Sequence, residues 1–101
     1  MKYKGTLIPI GGNEDKGSGI NESYTLEFIT EGILASVVQE SGGLDARIVI
    51  IPTASSIPEE VGEMYISAFT ELGCTNLKVL DIREREQCED PKTIKEIKDA
   101  N

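Results

Sequence analysis

The chain has 101 residues, 18 acidic and 10 basic, with a net charge of −8, no histidine, no tryptophan and two cysteines. That length holds one domain. The missing histidine excludes a Ser-His-Asp or Cys-His centre within the chain, two cysteines cannot make a Cys₄ zinc site, and the acidic balance argues against a nucleic-acid binder.

The first element in chain order is the apolar run Thr6 to Ile10 (TLIPI). It is expected to be a strand over about 4–11, with Pro9 favouring an edge or a bulge because it has no N–H for a ladder. Asn13 to Ser23 is polar and glycine-rich and reads as a long loop. Leu26, Ile29, Ile33, Leu34, Val37 and Val38 recur at helical spacing, predicting a helix over about 26–41 that ends at Gly42 and Gly43. Ile48 to Pro52 is continuously apolar, as in a strand covered on both faces, and predicts a strand over 47–52.

Val61, Met64, Tyr65, Ala68, Phe69 and Leu72 fall at i, i+3, i+4, i+7, i+8 and i+11. They predict a helix over 58–72, with Pro58 in its first turn, Glu59 and Glu60 at its positive end and Gly73 after it. The Tyr65 and Phe69 pair at this spacing belongs to the core rather than to a binding face. Leu77 to Ile82 predicts a third strand. Asp90 and Pro91 make an N-cap and N1 pair for a helix over about 91–98, anchored only by Ile94 and Ile97.

Three strand–helix units in alternation predict an α/β fold with a parallel sheet and helices on both faces, a three-layer, flavodoxin-like arrangement. Three strands are few for such a sheet, and the pattern stops on a helix, so an incomplete domain is expected, the first half of a larger one. No secretory leader or membrane span is expected, and Cys74 and Cys88 read as free thiols of a cytoplasmic protein.

Ligands of open α/β sheets bind beyond the carboxyl ends of the strands. Three loops leave those ends. The first contains Gly11, Gly12, Asn13, Glu14 and Asp15, the second Thr53, Ala54, Ser55 and Ser56, and the third Arg83, Glu84, Arg85 and Glu86. The glycines of the first loop permit close backbone approach, yet neither a dinucleotide fingerprint nor a phosphate loop is present. Glu14 and Asp15 are either a carboxylate pair for metal or acid/base work or simply solvated. Ser56 with Glu59 fits a capping box, and Ser55 lacks both a nucleophile elbow and a histidine to activate it. The third loop alternates base and acid and reads as solvated and salt-bridged. From Gly17 to Leu77 nine acids face a single base, Arg47; this excess serves either solubility or attraction of a cationic substrate.

The segments Gly5 to Lys16 (GTLIPIGGNEDK), Asp45 to Ser55 (DARIVIIPTAS), Pro58 to Tyr65 (PEEVGEMY), Phe69 to Gly73 (FTELG) and Val79 to Arg83 (VLDIR) together resemble the N-terminal half of the cyanophycinases. The resemblance runs over essentially the whole chain, with Pro9 and Asn13 as departures. It implies a class I glutamine amidotransferase-like fold related to aspartyl dipeptidases. It also implies a serine-peptidase-type hydrolase that cleaves cyanophycin, a poly-aspartate chain bearing arginine, into β-aspartyl-arginine dipeptides.

The family's nucleophilic serine, in a G-x-S-A-G elbow, and its histidine lie in its later half. No catalytic residue, metal or cofactor is therefore carried over, and the chain alone is expected to be inactive. Gly11, Gly12, Asn13, Glu14, Asp15, Thr53, Ala54 and Ser55 are expected to shape the site rather than run it. The expected partners are a second copy through exposed sheet edges, the C-terminal half, or an arginine-containing peptide in the full-length form; nucleic acid and membrane are not expected. The alternative is a non-enzymatic oligomerising or small-ligand-binding flavodoxin-like module. A phosphoreceiver is disfavoured because Ile51 and Pro52 stand where its aspartate belongs.

Overall fold

A computed structural model describes residues 5–11 and 32–101. In chain order these contain helix α1 (Ile33–Glu40), strand β1 (Ile48–Ile50), helix α2 (Pro58–Glu71), strand β2 (Leu77–Val79), a 3₁₀ helix (Arg85–Glu89) and helix α3 (Pro91–Asp99). The part of the helix expected over 26–31 lies outside the described residues. Among the described residues no helix is long and apolar enough to cross a membrane.

β1 and β2 pair in parallel, with Ile48 opposite Leu77, Val49 opposite Lys78 and Ile50 opposite Val79. Side chains alternate across a strand, so Ile48, Ile50, Leu77 and Val79 share one face. That face holds the core. Leu34, Ala35 and Val38 of α1 and Ala68, Phe69 and Leu72 of α2 are buried with Ile50 and Cys74, and Ile48, Tyr65, Leu77 and Val79 pack against them. Tyr65 and Phe69 stack with ring centroids 6.4 Å apart. Burying a side chain the size of Phe69 stabilises by about 1.5–3 kcal/mol. Both helices therefore cover the same side of the sheet. Met64, on the predicted apolar stripe, is 45% exposed.

Residues 5–11, in the stretch where a strand is expected, carry no ladder and are exposed. Pro9 contributes no N–H there.

Two glycines determine how the helices meet their surroundings. Gly62, inside α2, is buried against β2, and a Cβ there would stand 3.2 Å from Cγ1 of Val79. Its missing side chain lets the helix lie close on the strand. Gly73 ends α2 at φ +106°, where a side chain is strained; its amide donates to the Thr70 carbonyl, and the Cys74 amide reaches back to Phe69.

At the far end Asp90 caps α3, its carboxylate accepting from the Lys92 amide at 2.9 Å. No residue of α3 is buried. Polar ties hold its end instead. Asp99 accepts from Lys95 at 2.7 Å and lies 3.6 Å from Arg47, and the amide of Asn101 donates to the Arg47 carbonyl at 2.8 Å.

Gly62→Leu is expected to destabilise the fold by about 1–3 kcal/mol through overpacking, read as a lower urea midpoint. The hydrogen bond from Lys95, with Arg47 nearby, holds the Asp99 carboxyl below its ordinary value of 3.8. A lowered folded value favours the folded state above the unfolded value, and that contribution is lost as pH falls through the lowered one. Lys95→Ala is expected to raise the Asp99 midpoint toward 3.8, followed by its carboxyl carbon shift.

Candidate functional site

Beyond the carboxyl end of β1, the chain turns at Pro52, with the Ser55 amide donating to the Pro52 carbonyl at 3.0 Å. The Thr53 hydroxyl donates to the Ile82 carbonyl at 2.6 Å, tying the loop after β1 to the loop after β2. The two carboxyl-end loops are thus held as one edge. Ser55 Oγ accepts from the Ile57 amide at 3.0 Å, a short-range turn ahead of α2.

That bond corrects the capping box expected from Ser56 and Glu59. The helix starts at Pro58, so Ile57 is its N-cap and Ser56 lies one residue too early; Ile57 has no side-chain oxygen to offer. Glu59 turns instead toward Arg83, at 3.4 Å.

Arg83 is the cation of this edge. Its Nε donates to Asp81 at 2.8 Å and its terminal nitrogen meets Glu59. Hydrogen bonding to Asp81, and the charges of Asp81 and Glu59, raise an already high guanidinium pKa, so Arg83 is charged throughout. Its partners are exposed carboxylates, and exposed pairs of this kind contribute little stability.

The loop expected to be solvated and salt-bridged is more ordered than its alternating charges suggest. Gln87 Oε1 accepts from the amides of Arg83 (2.6 Å) and Glu84 (2.8 Å), and its Nε2 donates to the Asp81 carbonyl. Glu84 and Gln87 form a reciprocal capping box on the 3₁₀ helix. Gln87 is the organising residue missed at the sequence level; the Glu84-x-x-Gln87 spacing was its signal.

An apolar groove of about 570 Å³ runs along β1 and under Tyr65, and Ala54 and Ser55 line its end. Of the sequence-level site residues, Thr53, Ala54 and Ser55 therefore stand together at the carboxyl edge. Gly11 is exposed and takes no part in the sheet. Gly12, Asn13, Glu14 and Asp15 lie outside the described residues. Both cysteines are free, Cys88 exposed and Cys74 buried, and burial pushes the Cys74 thiol up, which makes it less reactive. The arrangement offers an apolar groove, one paired guanidinium and hydroxyls used as turn ligands; with no histidine in the chain, no serine–histidine pair forms among them.

Thr53→Val is expected to cost about 1 kcal/mol, since it strips the Ile82 carbonyl of its partner; a lower thermal midpoint would register it.

Comparison with known proteins gives the site its context. No protein-family model matches the chain. Curated relatives do. It is 41% identical to a cyanophycinase of Geminocystis herdmanii over 87 residues, which are 86% of this chain and 28% of that protein. It is 41% identical to a cyanophycinase of Trichormus variabilis over 86 residues, 85% of this chain and 25% of that protein. Identity to a cyanophycinase of Synechococcus elongatus is 34% over 87 residues, 86% of this chain and 24% of that protein. The chain is similar to the cyanophycinases over a segment that spans about a quarter of the length of the curated relatives it matches.

Proposed function

We propose that the chain is the N-terminal portion of a cyanophycinase-like hydrolase whose full-length form hydrolyses cyanophycin or related β-aspartyl peptides. The observation that carries the reading is the identity of 34–41% to curated cyanophycinases over 85–86% of the chain. In this reading β1 and β2 are the start of a larger, flavodoxin-like sheet with helices on both faces. The hydrolase is of the serine-peptidase type and works in the cytoplasm. The partner of the chain is the remainder of that fold.

The division of labour follows from the residues. Thr53, Ala54 and Ser55 shape the carboxyl edge, and Gly11 with Gly12, Asn13, Glu14 and Asp15 is the loop proposed beside them. The nucleophile and its base come from outside these 101 residues, because the chain contains no histidine and Ser55 serves a turn. The chain alone is therefore inactive. The acidic stretch between Gly17 and Leu77 suits an arginine-bearing substrate through long-range attraction.

The test is an assay of β-aspartyl-arginine release from cyanophycin by the purified chain. No release above buffer is expected, and none from Ser55→Ala. Turnover that persists through repurification and vanishes in Ser55→Ala would overturn the assignment of the nucleophile elsewhere. The parent reading is checked separately by the coding sequence following the Asn101 codon, where an in-frame G-x-S-A-G elbow is expected.

A further inference from the structure

α3 is built differently from the two helices that cover the sheet. None of its nine residues, Pro91–Asp99, is buried, and its two sequence-level anchors, Ile94 and Ile97, stay 40% and 46% exposed. The core of α1, α2 and the strands includes no residue of α3. A helix shorter than about 12 residues is marginal in water on its own. Apolar burial therefore does not hold α3, and its support must come from its two ends.

The first end is a weak joint. Asp90 stands in extended backbone (φ −65°, ψ 124°) between the 3₁₀ helix and α3. Its carboxylate accepts from the Lys92 amide at 2.9 Å, and its carbonyl accepts from the Ile94 amide at 3.1 Å. Both bonds lie within the unit formed by Asp90 and α3, so neither breaks when that unit turns. Pro91 brings no N–H to the joint. The Asp90 amide ties the unit back to the 3₁₀ helix through the Gln87 carbonyl at 3.3 Å, longer than an ordinary N–H···O bond.

The far end converges on one residue. The Arg47 amide donates to Oδ1 of Asn101, and the Arg47 carbonyl accepts the Asn101 amide, both at 2.8 Å. The Arg47 guanidinium stands 3.6 Å from the Asp99 carboxylate, which also accepts from Lys95 at 2.7 Å. The amide, the carbonyl and the side chain of Arg47 are thus all engaged with the end of α3. Arg47 itself is fixed by the sheet, because it leads directly into β1, where the Ile48 amide donates to the Asn76 carbonyl at 3.0 Å. It is also the only base between Gly17 and Leu77, so no other cation of that stretch can replace it. α3 therefore runs from the loop that follows β2 back to the amino end of β1, loosely joined at its start and held at its finish.

We propose that α3 is a strap, jointed at Asp90 and Pro91 and latched on Arg47, that opens and closes while the core of α1, α2 and the two strands stays folded. Once unlatched, α3 frays, because its length alone does not sustain a helix. The latch consists of exposed hydrogen bonds and an exposed ion pair, which exchange readily for bonds to water and contribute little net stability. The open state is therefore populated far above the globally unfolded one. Opening costs the core no buried contact with α3 and returns the amide and carbonyl of Arg47 to water. This holds whether or not the chain is part of a hydrolase, so the test reads the strap alone.

The experiment is NMR on the intact chain. The Cα shifts of Ile94 and Ile97 report the helix of α3, and amide hydrogen exchange compares Lys98, in its last turn, with Phe69 in the core. In the unaltered chain α3 is expected to be helical, with Lys98 exchanging at least about 100-fold faster than Phe69. Arg47→Ala combined with Asn101→Ala removes the guanidinium and the Oδ1 acceptor; the helical shifts of Ile94 and Ile97 are expected to fall by at least about half, with Phe69 protection unchanged. Asn101→Ala alone, which alters no residue of the sheet, is expected to give a smaller loss of the same kind and keeps the test readable if Arg47→Ala disturbs β1. Lys98 and Phe69 exchanging at one common rate in the unaltered chain would make α3 part of the core unit and overturn the proposal. Coil shifts at Ile94 and Ile97 in the unaltered chain overturn it as well, since no strap then closes. Helical shifts kept in full in both variants overturn the role of Arg47 as the latch, and loss of Phe69 protection in step with α3 in Asn101→Ala overturns its independence.

Discussion

The parallel register of β1 on β2 is the constraint from which the rest follows. By setting Ile48 opposite Leu77 and Ile50 opposite Val79, it collects four aliphatic side chains on one face. α1 and α2 bury their stripes against that face, and the pleat decides which residues each helix can touch. A shift of one residue would turn the aliphatic set of one strand to the other side. The same register brings the loops after both strands to one edge, where the hydrogen bond from Thr53 to Ile82 joins them.

The two ends of the sheet are built differently. The helical face depends on apolar burial and on the close approach that Gly62 permits. The carboxyl edge depends on polar ties, with Gln87 gathering the backbone of Asp81, Arg83 and Glu84, and Arg83 reaching Asp81 and Glu59. α3 has no buried residue and is held by its Asp90 cap and by the Arg47 contacts with Asp99 and Asn101. A core of this size is consistent with a segment that spans a quarter of its relatives' length.

Much of the helical framework was legible because its signals are local. Pro58 with Glu59 and Glu60 marks the start of α2, Gly73 its end, and the spacing of Val61, Tyr65, Ala68, Phe69 and Leu72 its buried side. Asp90 and Pro91 announce α3 in the same way. The capping box at Ser56 failed because it was read from spacing alone, and the helix began one residue later than that spacing assumed. Gln87 escaped notice because its role is to bind the backbone of a turn, and only the fold brings the Asp81 carbonyl to its amide.

For the site the boundary is sharper. The sequence by itself determined residue types: no histidine for acyl transfer, glycine where a turn needs positive φ, an apolar run at Ile48 to Pro52, and the order of motifs shared with the cyanophycinases. Only the tertiary structure decided which of the predicted loops meet, that Ser55 serves a turn, and that Arg83 is held by two carboxylates. Composition and periodicity report what each segment can bury or bond locally. Distant partners, Thr53 with Ile82 at a separation of 29 residues and Arg47 with Asn101 at 54, are chosen by the register of the sheet, and no local pattern encodes that choice.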